Sequence, residues 1–363
     1  MRRFLLIFAS LAVSAACDGS GPVGQLPESG RVSLDLMTVR PLLGRAWGLA
    51  LDPTGRYLVV SSHYHRQLYV LDAETYEPVG DTIGAGKVRG IVFPPAGNVS
   101  GMYVAGETSG VQAGDVSPDG SLTLHPLRSS YATFVLPDER TGGLYVVEPE
   151  GLVLLAQDGS TLASRPLLIQ SISNIATTRD GMRVLALVYD TLRPPAIVSS
   201  RLRLLALDGD DLTFVGEVDV PHWATQVVPL DGHRAAVVGG GNPWSPLVGP
   251  LVAVADWQEG TVGLTKQVSL NPTQEGFDVG RGNPWVQVDS RTALIGTTHG
   301  ILAIDTRTGE ASAVEGDLSD DAHVNECCSM VWDAGRRRLV IASSVVYPDN
   351  HREVGRLEVY RIR

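Results

Sequence analysis

Ala46-Trp47-Gly48-Leu49-Ala50-Leu51, then Asp52-Pro53-Thr54-Gly55-Arg56, then Tyr57-Leu58-Val59-Val60-Ser61, set the plan of this chain. Two short apolar runs flank a turn whose Pro presets φ and whose Gly tolerates a left-handed backbone. A polar connection at His63-Tyr64-His65 follows, then a third run from Gln67 to Leu71 and a second turn, Asp72-Ala73-Glu74-Thr75. Runs this short, rich in Val, Leu and Tyr and bounded by turn residues, read as antiparallel strands.

The same plan recurs. Equivalent starts fall near Ala46, Val88, Tyr131, Ser173, Trp223, Trp285 and Cys327, separated by 42, 43, 42, 50, 62 and 42 residues. The two long spacings hold insertions around Leu192-Arg193-Pro194-Pro195 and from Asn242 to Pro250. Four-stranded units of this length cannot bury both faces alone, so they must stack, and a closed ring needs no capping unit. The last unit supplies three strands (Cys328 to Trp332, Leu339 to Ser343, Arg356 to Ile362), while Arg31 to Val39 is an orphan strand alternating at Val32, Leu34 and Leu36. The expectation is an all-β fold, a seven-bladed β-propeller of four-stranded antiparallel blades, with the last blade completed by the N-terminal strand.

Composition agrees. The 363 residues include 40 Gly and 22 Pro but only 19% charged residues, which suits many short strands and tight turns in one large domain. A net charge of −11 disfavours nucleic acid, and the one basic cluster, Arg336-Arg337-Arg338, falls in an expected turn and reads as solvated.

Before the repeats stands a different kind of segment. Met1-Arg2-Arg3 is basic, Phe4 to Val13 is apolar but too short to span a bilayer, and Ser14-Ala15-Ala16 supplies small residues ahead of Cys17. This resembles a bacterial lipoprotein signal, although Ser14 stands where such signals usually carry Leu. The resemblance implies lipidation at Cys17, export, and anchoring in the cell envelope. Residues 1–16 are thus expected to be the signal, 17–30 a flexible Gly/Pro-bearing tether, and 31–363 the propeller. The repeat also resembles the bacterial YVTN-type propellers, through Leu68-Tyr69-Val70-Leu71-Asp72, Met102-Tyr103-Val104, Leu144-Tyr145-Val146-Val147 and Ile304-Asp305-Thr306-Arg307-Thr308-Gly309, though no unit carries the signature tetrapeptide.

In such a ring the connections between second and third strands, and those leading into each blade, emerge on one face, where loops on a rigid scaffold carry function. The expected ligand-binding face therefore holds His63, His65, Arg89, His222, Trp223, Asn242, Trp244, Asn283, Trp285, His299, His323, Asn325 and Glu326, with Arg45, Lys87, Glu107, Glu148, Tyr131 and Asn174 nearby. With His351, in the same connection of blade seven, six of the eight His lie there, and His125 and His233 do not. His with Asp or Glu around one axis would ligate a divalent metal or supply acid–base groups; equally, these are ordinary polar loop residues lining a wet channel. Gly-Asn-Pro-Trp occurs twice, at 241–244 and 282–285. Its Trp residues would either stack a sugar, an aromatic or a peptide, or cover the seams between blades. Cys327-Cys328 would form a vicinal disulfide or remain two separate thiols.

No nucleophile elbow, phosphate loop, dinucleotide fingerprint or Cys-x-x-Cys pair is present. Two functions follow. The first is a monomeric binding or scaffold lipoprotein, without a cofactor, that presents this face to an envelope protein, peptide or glycan and meets the membrane through its N-terminal lipid. The second is a periplasmic metal-assisted lyase or lactonase using His63, His222, His299, His323 and Glu326.

Overall fold

The computed structural model describes residues 32–94, 101–167, 170–178, 180–190, 202–221, 224–239, 251–267, 285–297, 300–316, 325–347 and 352–363. Within them the chain forms seven antiparallel sheets and no helix. Blade one consists of Leu49–Leu51, Tyr57–Ser62, Gln67–Asp72 and Pro78–Gly84; blade two of Val88–Val92, Met102–Gly106, Gly110–Val116 and Leu122–Arg128. Blades three to six repeat the pattern, beginning at Phe134, Gln170, Ala224 and Trp285. First strands touch the first strands of neighbouring blades, which makes them the inner wall of a ring.

The ring closes as the repeat count requires. Blade seven holds Asn325–Asp333, Arg338–Tyr347 and Arg352–Ile362, and its fourth strand is Ser33–Pro41, antiparallel to the chain's last strand with Leu34 opposite Ile362 and Pro41 opposite Arg356. The N-terminal strand begins and ends two residues later than the alternation suggested. It also gains an unforeseen neighbour, because Ser33 and Leu34 pair in parallel with Glu315 and Gly316 of the blade-six connection. Gly316 is required there: its φ is +131°, and a Cβ would run into the backbone carbonyl of Leu34.

No single core sits at the middle of this molecule. Six apolar clusters fill the seams between blades; one joins Leu49, Leu58 and Tyr69 of blade one to Val340, Ala342 and Leu357 of blade seven. Strands covered on both faces cannot alternate, which is why Tyr57–Ser62 is buried throughout. Outer strands see water on one edge, and Leu162 and Phe214 lie exposed there.

The turns explain the abundance of Asp. In the first-to-second strand turns Asp52 accepts from the Thr54 and Tyr57 amides, Asp231 from His233 and Arg234, and Asp289 from Arg291 and Thr292. In the third-to-fourth turns Asp72, Asp256 and Asp305 cap in the same way. Side-chain carboxylates here replace backbone partners that a tight turn leaves unmet. All of these turns lie at one end of the ring. One sequence expectation is refined at this end: Arg337 is exposed in a turn as read, but Arg336 and Arg338 both reach Glu74 of blade one, and Arg336 also binds Asp333 and the Gly55 carbonyl.

Candidate functional site at the seam of blades one and two

The opposite end of the ring carries the second-to-third strand connections. Its best-defined cluster is built by four segments: Arg45 and Trp47 lead into blade one, His63 follows that blade's second strand, Lys87 and Arg89 open blade two, and Glu107 starts the hairpin of blade two.

A local irregularity aims these groups. In blade two the ladder shifts between Val88 and Gly90, leaving Arg89 as a bulged residue. The same shift occurs at Ser173 in blade four, Thr225 in blade five and Cys328 in blade seven. In blade one the Ser61 amide donates to Gly48 O and the His63 amide to Arg45 O, so Ala46 and Trp47 on one strand face Ser62 alone on the other, and Trp47 falls at the equivalent place. Ser61 Oγ then accepts from the amides of Trp47 at 3.2 Å and Gly48 at 2.7 Å. Bulges re-aim side chains at strand ends; here a recurring one sets Trp47, Arg89, Ser173 and Thr225 at one level around the channel mouth.

Trp47 and His63 are stacked, ring centroids 3.8 Å apart and planes 22° from parallel. The Arg89 guanidinium lies 3.6 Å from the Trp47 ring centroid, a close cation–π contact, and that of Arg45 lies 5.1 Å away. Glu107 takes Arg89 Nε at 2.5 Å and Arg89 Nη2 on the same oxygen, with Lys87 Nζ at 3.8 Å from the other. Tyr64 stands edge-on to His63, centroids 5.5 Å apart.

The stacked pair of rings carries two nitrogens, Trp47 Nε1 and His63 Nδ1, that are shut from solvent without a hydrogen-bond partner. Trp47 is 8% exposed and His63 6%. Such atoms cost roughly 1–3 kcal/mol each, and two on one stacked pair of rings call for a reason. Burial, then the charge of Arg89, and to a lesser degree Lys87, push the His63 ring below its ordinary value, against the opposing pull of Glu107 and a hydrogen bond with the Val88 backbone. The ring is therefore neutral at neutral pH. With Nε2–H engaged by Val88, Nδ1 presents a lone pair, the tautomer following from the network.

Of the other expected site residues, His65 is exposed and its Nδ1 lies 2.8 Å from Ser62 Oγ. Trp285 is 6% exposed and belongs to the apolar packing of blades four to six, the seam-covering role. Asn174 lies within the first strand of blade four, not in a loop; it is buried and donates to Gln226 Oε1 at 2.9 Å, tying blade four to blade five. Glu148 is held by Arg128 and Ser130. Asn325, Glu326, Cys327 and Cys328 fall in the inner strand of blade seven, where Cys328 is the bulged residue and only the backbone is described. Cys17, His222, Trp223, Asn242, Trp244, Asn283, His299, His323 and His351 lie outside the described residues. Among the described residues no three His, Cys, Asp or Glu gather closely enough to hold a metal ion.

Trp47 was not singled out from the sequence. Its signal was present: Trp47-Gly48-Leu49 and Arg89-Gly90-Ile91 occupy the same place in consecutive repeats. No family model matches the chain, and no curated protein does.

Proposed function

We propose that the chain is an exported binding protein, lipid-anchored through Cys17, whose propeller presents the face of second-to-third strand connections to an envelope protein, peptide or glycan. The contrast between the two ends of the ring carries this reading. One end is occupied by Asp-capped turns whose polar groups satisfy each other. The other gathers cations, a stacked Trp–His pair with two unpartnered nitrogens, and the exposed side chains Leu43, Tyr64 and Tyr131. Unmatched polar groups beside exposed aromatics are the composition of a recognition surface. The signal-like segment and the tether support membrane attachment, and the Leu-Tyr-Val strands support kinship with YVTN-type propellers.

Cross-linking of the full chain to envelope components tests the face. Tyr64→Ala with Tyr131→Ala is expected to abolish the cross-linked product, and Glu310→Ala, in a turn at the other end, to preserve it. Equal yield from both variants would refute the assignment. A metal-assisted enzyme is the competing reading, and the unpartnered Nδ1 of His63 is its one observation. Stoichiometric divalent metal in the purified chain, lost in His63→Ala, would decide for it.

A further inference from the structure

The face just proposed can be given a ligand chemistry. We infer that the seam of blades one and two is the seat of a small hydroxy acid, with Arg89 and Lys87 taking the carboxylate, Trp47 Nε1–H adding a donor, and His63 Nδ1 accepting from the hydroxyl. The inference rests on the reading of that face as the binding face.

The complement of groups points to this class. Arg89 and Lys87 are cations on a chain whose net charge is −11, so their placement together is local, not compositional. What they now hold is a carboxylate of the protein, Glu107, whose side chain is 14% exposed. The internal carboxylate occupies the position of the ligand's own. Two features make Glu107 exchangeable. Its side chain leaves a hairpin whose backbone is pinned elsewhere: the Glu107 amide donates to Lys87 O at 2.9 Å, and Ser109 Oγ donates to Ala85 O at 2.7 Å. Rotation of one side chain thus frees Arg89 without moving the blade. Arg89 meanwhile stays preorganised on the Trp47 ring.

A carboxylate alone would leave the His63 lone pair unmatched. A neutral imidazole has one N–H and one lone pair; with the N–H given to the Val88 backbone, the partnerless Nδ1 is left as the acceptor. A hydroxyl on the ligand meets that requirement, and a site built to bond a hydroxyl discriminates against an analogue lacking it. Both unpartnered nitrogens are closed to solvent in this arrangement, and the side chain a ligand carboxylate would displace on its way to them is Glu107, the present partner of Arg89.

Calorimetric titration of the full chain in detergent tests this with three probes. Gluconate carries carboxylate and hydroxyls, hexanoate only the carboxylate, and sorbitol only hydroxyls. Gluconate is expected to bind and the other two to bind at least about tenfold more weakly. Glu107→Gln should tighten gluconate, by removing the competing carboxylate. Lys87→Gln, a change at a partly exposed side chain that leaves the fold intact, should weaken it by about tenfold, and Arg89→Gln, checked for folding by its unfolding midpoint, should abolish it. Binding of all three probes alike, gluconate binding indifferent to Lys87→Gln and Glu107→Gln, or absence of gluconate binding in both wild type and Glu107→Gln, would each overturn the inference. If gluconate fails while Tyr64→Ala with Tyr131→Ala still abolishes envelope cross-linking, the hydroxy-acid seat is wrong and the binding face stands; if both fail, the face falls as well.

Discussion

Arg336, in the first turn of blade seven, donates from Nε to Glu74 Oε2 of blade one across 2.6 Å, although 262 positions separate them in the chain. Arg338 Nη2 holds the other oxygen of the same carboxylate at 3.0 Å. One glutamate thus spans two arginines where the two ends of the repeat array meet. The seam is doubly secured, by this clamp on its rim and by Leu49, Leu58, Val340 and Leu357 packed beneath it.

Arg338 and then Arg336 hold the Glu74 carboxyl below its ordinary value of 4.5. A carboxylate with a depressed folded value binds fewer protons than the unfolded chain does, so its stabilisation is complete above the ordinary value and lost as pH falls through the folded one. Glu74→Gln is expected to lower the unfolding midpoint at pH 7 only modestly, since the pair is largely solvated. The gap between variant and wild type should close as the pH is taken down through the acid range. Thermal unfolding across that range checks it; a gap that persists unchanged in acid would show that the charge of Glu74 is irrelevant.

Leu34 is fully buried and faces Met330, Leu339 and Tyr360 of blade seven and Leu294 of blade six. Leu34→Ala is expected to cost about 2–5 kcal/mol, the range for deleting a packed leucine. The loss should be local to the closure. In hydrogen exchange the amides of Arg352–Ile362, which pair with Ser33–Pro41, should lose protection well before those of blades two and three. Uniform loss around the ring would mean that the N-terminal strand is not a separate latch.

Blade seven also buries a charge pair. Arg356 Nε donates to Glu358 Oε1 at 2.6 Å, and Glu358 further accepts from Ser343 Oγ at 2.9 Å and Tyr360 OH at 2.6 Å. Removing one member leaves the other charge buried, so Arg356→Met is expected to cost about 3–5 kcal/mol. Replacing both, with Arg356→Met and Glu358→Leu, should recover most of that. A denaturant double-mutant cycle measures the coupling, and additive losses would refute it.

How far the sequence led can be argued from particular positions. Strand order, blade number and the use of Ser33–Pro41 as a latch follow from a repeat period and from one alternating segment left without a partner, both purely local patterns. The bulges do not. Arg89 and Ser173 look like ordinary strand-start residues, because a bulge is decided by how two strands register and not by the residue that is extruded. Asn174 was expected on the loop face for its polarity, and is instead buried because Gln226 and the Val227 amide satisfy it. Arg336 and Arg338 read as solvated for a related reason: their partner lies in the first repeat. Polar residues announce their chemistry in sequence, but their burial depends on contacts the sequence separates.

His63 gives the sharpest test of the site itself. Burial and the neighbouring Arg89 lower its ring below the ordinary 6.5, so the folded chain prefers the neutral form. The sign is opposite to that of a salt-bridged histidine. Below 6.5 the unfolded chain takes up a proton that the folded chain refuses, so stability is complete above that value and declines as pH falls from it toward the lower folded value. Every charged group acting on the ring enters this balance: Arg89 and Lys87 disfavour the second proton, Glu107 favours it. His63→Phe keeps the stack on Trp47 and removes the titration, and its unfolding midpoint should therefore fall less than that of wild type over the same interval. Glu107→Gln should steepen the wild-type decline, since the one attraction for the imidazolium is gone. Parallel pH profiles for all three proteins would mean that His63 is not neutral in the folded ring, and would remove the acceptor on which the hydroxy-acid seat depends.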